Sequence, residues 1–280
     1  MLRSNKISRS MVLLLAASLS LTACNAGSSS GTNDAEAKTS LTVALTGPPV
    51  NLDFTTTAGA AIPQALMANI YQGLVRIDQD GKLQPLLADS WELSEDRKTY
   101  TFKLHPGVTF SSGDAFTAED VKFSIERVKS DAWKSSLKNK MNVVKAVSVV
   151  SDTEVKVELS QPSNAWLYDM GSPIGAMFDP NGVSALATTP VGTGPFTVSA
   201  WKPGEALELA ARTDYWGTAP SLKTATLRYF ADATATTNAL QSGTSTWFTT
   251  CSPPNCFQAS KTTRTTRFSR AHPRARSSCR

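Results

Sequence analysis

Four side chains near the C-terminus have the right chemistry for a metal: Cys251, Cys256, His272 and Cys279. Structural zinc modules bring their cysteines in as close pairs, with roughly two to four residues between partners. Here four, fifteen and six residues intervene, so the first pair alone is close, the second is too wide, and no metal site is expected. Other reactive types are sparse. The two histidines, His105 and His272, belong to no His-Glu-x-x-His helix, and no Gly-x-Ser-x-Gly elbow is present. The carboxylate pairs Glu95-Asp96 and Glu119-Asp120 are sequence neighbours, which point in different directions. Gly192-Thr193-Gly194-Pro195 has the look of a phosphate loop, yet it lacks the third glycine and the Lys-Ser/Thr ending of the nucleotide patterns. A turn where the chain crosses between subdomains is the better reading. No enzyme, cofactor or metal is therefore expected, and the search moves to binding.

Charge narrows the partners. The chain carries 28 Lys and Arg against 23 Asp and Glu, a formal charge of +5. Ten of the basic residues sit at the two ends: Arg3, Lys6 and Arg9, then Lys261, Arg264, Arg267, Arg270, Arg274, Arg276 and Arg280. The body between them is mildly acidic, so the high sequence pI gives no support to a nucleic-acid partner. The first basic group precedes Met11–Leu21, an apolar run broken only by Ser18 and Ser20. Eleven residues suit the hydrophobic stretch of a signal peptide and fall well short of the ~20 needed to span a bilayer.

The elements that must hold any site read as mixed. Residues 41–45 alternate as a first strand closed by Gly47-Pro48-Pro49. Leu66, Ile70 and Leu74 fall on one stripe of a helix expected over 61–74. Tyr100, Phe102 and Leu104 alternate with polar neighbours before Pro106-Gly107. Thr117, with Asp120 three residues on, opens an amphipathic helix over 118–130. Residues 143–150 and 154–159 form one strand pair, and 196–201 and 206–210 another, around Lys202-Pro203-Gly204. Strands arriving as hairpins with few helices between them argue an α+β fold.

Leu21-Thr22-Ala23-Cys24 resembles the lipobox of bacterial lipoproteins, which implies lipid on Cys24, a signal peptide over 1–23, and attachment to the outer face of the cytoplasmic membrane. Residues 24–40 then read as a Gly/Ser/Thr/Ala-rich flexible linker. The densest signature follows. Pro85 to Leu104, containing Asp89-Ser-Trp91 and Tyr100-Thr-Phe-Lys-Leu104, then Gly107-Val-Thr-Phe110-Ser-Ser-Gly113-Asp-Ala-Phe-Thr117 and Asp120 to Arg127, resemble the extracellular solute-binding proteins of peptide and nickel ABC transporters, family 5. Tyr71-Gln-Gly-Leu74, Val191-Gly-Thr-Gly-Pro-Phe196, Trp201-Lys-Pro-Gly204 and Asp214-Tyr-Trp216 extend the resemblance over residues 41–243. Arg97 departs from it, standing where the family usually has glycine in a tight turn.

The resemblance implies a type II periplasmic-binding-protein fold, of which 41–243 would be essentially lobe one. It also implies capture of oligopeptides or a related solute, nickel included, for delivery to an ABC permease. Two lobes closing on a hinge trap such a ligand. Asn51, Tyr71, Gln72, Gly73 and the loop Ser172–Phe178 are then the candidates facing the cleft. Tyr71 could equally be a core ring, and Gln72 a solvated helix position.

After Gly243 the pattern breaks. Residues 244–280 contain no acid, lose hydrophobic periodicity and carry three of the four cysteines. They read as an aberrant, disordered basic tail, and a one-base shift of frame near Gly243 would turn the Thr/Ser run into an Asp-Val-Asp-Val continuation. On that reading the polypeptide is a truncated remnant without binding activity. A membrane-anchored interaction protein using lobe one alone is the third expectation.

Overall fold

A computed structural model describes residues 39–248, which fall within one compact unit. The lipobox with Cys24, the cysteine group and nearly all of the basic tail lie outside the described residues.

Two sheets organise the lobe. The first contains β1 (Ser40–Thr46), β8 (Phe196–Lys202), β9 (Ala206–Ala211), β10 (Thr224–Phe230) and β11 (Trp247–Phe248), in the order β11-β1-β10-β9-β8. Strands β10 and β11 run parallel to β1, and the other pairs are antiparallel. The second contains β4 (Ala88–Leu93), β5 (Thr99–Leu104), β6 (Val144–Ser151) and β7 (Glu154–Leu159), ordered β4-β5-β7-β6 and wholly antiparallel. A small hairpin, β2 (Val75–Ile77) with β3 (Leu83–Pro85), lies between them in sequence. Strand β11 takes the lobe five residues beyond the expected boundary at Gly243, because edge pairing uses backbone groups that any non-proline residue supplies.

Period-2 and period-3.6 patterns both find their core. In β5 Tyr100, Phe102 and Leu104 are buried, and in β7 Val155, Val157 and Leu159. Helix α2 (Ala118–Lys129) lies on β6 and β7, with Val121, Ile125 and Val128 inward. Its opening follows the expected capping box: the Asp120 carboxylate accepts from the Thr117 N–H at 2.7 Å and hydroxyl at 3.1 Å. Burial, aided by nearby Asp179 and opposed by those bonds, raises the Asp120 pKa. Helix α3 (Asn164–Asp169) brings Trp166 to 5.1 Å from the Tyr100 ring.

The helix expected over 61–74 is cut short. Helix α1 spans only Ala61–Leu66, Met67 is extended, and Ala68 is left-handed at φ 65°. Leu66, Ile70 and Leu74 are all fully buried, so the stripe was a true core signal read with the wrong geometry. The carbonyls of Asn69 and Ile70 instead accept from Phe196 N–H (3.0 Å) and Gly194 N–H (2.8 Å). A tertiary crossing has outcompeted the local helix. Gly192-Thr-Gly-Pro195 is the other strand of that crossing, as expected.

The Arg97 departure is real strain. Its φ is 57°, a region that costs an L-residue about 1–2 kcal/mol. Arg97→Gly removes that cost but loosens the unfolded chain and loses the exposed Nη2 bond to Asn164 Oδ1. A net gain of about 0.5 kcal/mol is expected in urea unfolding. A lower denaturation midpoint would show that the Asn164 bond outweighs the strain.

Candidate functional site

Strand β1 ends where the chain changes direction around it. Thr46 pairs with Phe230, the last residue of β10, and Ala44 with Phe248 at the end of β11. From β10 the chain enters helix α4 (Ala233–Gln241), capped by Asp232 accepting from Ala235 N–H at 2.8 Å, and returns on the far side of β1 as β11. The connection from β10 to β11 thus passes across β1. In open sheets with parallel strands ligands bind outside the carboxyl ends of the strands, here the mouth at the end of β1.

The segment at that mouth is Thr46-Gly47-Pro48-Pro49-Val50-Asn51, without a charged side chain. Gly47 at φ 74° makes the turn, and two prolines then fix the backbone. They hold out Val50, 77% exposed and the most exposed large apolar side chain among the described residues. Asn51 braces the segment: its Oδ1 accepts from Asp53 N–H at 2.8 Å, and its Nδ2 donates to Thr57 Oγ1 at 2.8 Å. Asp53 in turn accepts from Thr55 N–H, Thr55 hydroxyl and Thr56 hydroxyl. Asn51 therefore lies beside the mouth with its amide committed to loop structure.

The other three candidates are interior. The Tyr71 ring is fully buried between Phe54 (centroids 5.4 Å) and Phe178 (5.2 Å), and burial drives its pKa far up, with Asp53 adding and Arg127 opposing. Gln72 is 4% exposed. Its Nε2 donates to Tyr215 Oη at 2.9 Å, while Oε1 accepts from Thr193 hydroxyl at 3.0 Å and Trp216 Nε1 at 3.2 Å. Gly73 bridges to Ala176, and a Cβ there would stand 2.8 Å from Met170 O. Loop 172–178 is held by Met177 N–H donating to Gln72 O at 2.9 Å, and Ile174 to Phe178 are buried. Tyr71 takes its core reading, Gln72 is a buried strut where a solvated position was the alternative, and Gly73 is a close-packing glycine. All three are buried.

One residue escaped the sequence reading. Arg212, its side chain 2% exposed, donates to the carbonyls of Thr109 (3.0 Å), Phe110 (3.1 Å) and Gly192 (3.5 Å), to Thr109 Oγ1 (3.0 Å), and through a fork to Asp214 (3.0 and 3.1 Å). It ties the end of β9 to the 109–110 segment and the crossing at Gly192. The available signal was weak: one arginine after the apolar run Ala-Leu-Glu-Leu-Ala-Ala, two residues before Asp214. Among the described residues no three His, Cys, Asp or Glu side chains converge as a metal site, and no helix is long and apolar enough to cross a membrane.

Comparison with known proteins gives one answer. The sequence pattern of "Bacterial extracellular solute-binding proteins, family 5 Middle" matches residues 82–277. The glutathione-binding protein GsiB of Pectobacterium atrosepticum is 32% identical over 191 residues, 66% of this chain and 37% of that protein. The periplasmic binding protein DppA of Helicobacter pylori, solved with the peptide STSA, superposes with a TM-score of 0.70 at 25% identity, covering 75% of this chain and 46% of that one. AgaA of A. tumefaciens R10, solved with agropinic acid, gives 0.70 at 30% identity, covering 75% and 43%. The chain thus spans under half the length of these relatives, and its described fold corresponds to a single lobe of theirs. On the family match and these superpositions, the chain belongs to the bacterial extracellular solute-binding proteins of family 5.

Proposed function

We propose that this protein is the substrate-binding component of an ABC importer, held outside the cytoplasmic membrane by lipid on Cys24, and that it passes peptides or a peptide-like solute to the permease. The observation carrying the reading is the mouth at the end of β1: an uncharged, proline-stiffened segment presenting Val50 at the carboxyl end of a strand paired in parallel on both sides. Such a wall suits the uncharged backbone and apolar side chains of a short peptide. The names of relatives agree with this class, since the Pectobacterium protein is named for glutathione and the Helicobacter structure holds a peptide.

The test is thermal unfolding with and without short peptides, glutathione, agropinic acid and nickel-histidine. A ligand of the native state raises the midpoint with its concentration. Peptides or glutathione are expected to do so; no shift with any of the four overturns the function. Val50→Asp should leave the unliganded midpoint unchanged, since the side chain is exposed, and weaken binding roughly tenfold by burying a charge against the ligand. A peptide-induced shift undiminished in Val50→Asp would remove the mouth and leave the transport role standing.

A further inference from the structure

Charge is spread unevenly over the described residues. Residues 39–248 carry 17 Lys and Arg against 21 Asp and Glu, yet 127–145 alone hold six of those cations, Arg127, Lys129, Lys134, Lys138, Lys140 and Lys145, against Asp131. The remainder is strongly acidic, with 11 basic and 20 acidic residues. Arg127 turns inward over the Phe178 ring at 6.0 Å, and Lys145 pairs with Glu158 on the neighbouring strand at 2.7 Å. Lys134, Lys138 and Lys140 are left together on one turn, which includes a 3-10 helix at Ser136–Met141.

The outer side of that turn is amphipathic. Side chains three apart eclipse in a 3-10 helix, so Leu137 and Lys140 share a side, and both are exposed, Leu137 at 43%. Met141 anchors the turn in the core. Lys134 is exposed with no acid at ion-pair distance among the described residues, while Lys138 meets the fully exposed Asp131 at 3.6 Å and Lys140 meets Asp169. Surface pairs of this kind contribute little, so both lysines can exchange their acid for an outside anion. Three cations around a protruding leucine match a surface of dense negative charge with an apolar layer beneath it. A membrane with anionic headgroups has both features, and an acidic protein loop only the first.

We propose that the 134–140 turn docks on the anionic lipid surface of the membrane, with Leu137 entering the headgroup layer and the acidic remainder of the lobe turned away. For proximity the inference rests on the lipid anchor of the proposed function. Read as a flexible linker, residues 24–40 span about 20–25 Å, close to the length of the seven-residue β1 at about 3.3 Å per residue. A tether at the start of β1 therefore lets its far end reach the membrane. Docking there has a use. Lys134 N–H donates to Thr55 O at 2.8 Å, and Thr57 bonds Asn51, so the docked turn holds the adjoining β1 mouth toward the membrane, where a permease takes the solute.

Lysine footprinting of the full chain tests the surface. An amine-acetylating reagent is applied in the presence of vesicles of phosphatidylcholine alone or with phosphatidylglycerol added, and each lysine is read by mass spectrometry. On the anionic vesicles Lys134 and Lys140 should lose most of their reactivity, while Lys103 and Lys156, exposed on the face of the second sheet turned away from α2, keep theirs. About 0.5 M salt should restore the two. Lys134→Ala should weaken binding to the anionic vesicles about fivefold, and Leu137→Ser roughly three- to tenfold. Unchanged reactivity at Lys134 and Lys140 overturns the surface, as does protection confined to Lys261 in the C-terminal tail. Equal protection by polyglutamate, indifferent to Leu137→Ser, makes the occupant an acidic protein and overturns the lipid. No transported solute is present in these measurements, so the docking and the transport reading fail separately.

Discussion

Gly192→Ala is expected to cost the lobe about 3 kcal/mol or more, a large part of the stability of an ordinary domain. A Cβ at this position would stand 2.1 Å from Ile70 O and 2.8 Å from Ile70 C. Both are backbone atoms, so no rotamer change relieves the clash; the two chains must separate. Separation breaks the Gly194 and Phe196 N–H bonds to Ile70 and Asn69 and lengthens the Arg212 contact to Gly192 O. Gly107→Ala is the control, since its φ of 75° carries strain but its Cβ meets nothing within 4 Å; it should cost only about 1 kcal/mol. Urea unfolding of the two variants checks the contrast, and equal losses would refute the crossing as the seat of the effect.

Arg212→Met should be comparably severe, at about 3–4 kcal/mol. The methionine fills much of the volume but leaves the carbonyls of Thr109 and Phe110 without the charged donor that satisfies them. Arg212→Lys keeps the charge and loses the fork, so it should recover less than half of the loss. Asp214→Asn is expected to be mild at neutral pH, because that side chain is 63% exposed. Its signature lies in acid. The Arg212 hydrogen bonds hold the Asp214 carboxyl below its ordinary pKa. Its stabilising share is therefore complete above the unfolded carboxylate pKa and disappears as pH falls through the lower folded value. Asp78, bonded by Lys82 N–H, and Asp96, bonded by the Ser94 hydroxyl, act in the same sense; Asp120, raised by burial, acts in the opposite one. Asp214→Asn should flatten part of the acid loss measured by urea midpoints from neutrality downward. An unchanged pH profile would mean the ion pair contributes nothing in solution.

Much of the architecture was legible because it rests on local signals. Alternation in β5 and β7, the Thr117–Asp120 box and the Lys202-Pro-Gly turn each depend on residues a few positions apart, and each appears where the spacing put it. The Arg97 turn was legible through the family resemblance, in which glycine usually stands at that place, and its positive φ agrees. What failed was long-range. The stripe Leu66-Ile70-Leu74 has the helical period, but the backbone there is claimed by Gly194 and Phe196 from far along the chain. Of the candidates that the resemblance implied, Tyr71 and Gln72 are buried and Asn51 is the neighbour of the exposed Val50. Arg212 works by donating to carbonyls of residues a hundred positions away, and carbonyls leave no mark in a sequence.

The pairing of β1 with β10 has a kinetic meaning. Ser40 lies opposite Thr224, so the strand made first waits for one made near the end of the described chain before it has a full partner. Closing so long a loop is entropically slow, and folds rich in distant contacts form late. During that wait β1 lacks its full partner and the sheet cannot close around it. For the export proposed above, such a delay would keep the chain extended until it has crossed the membrane.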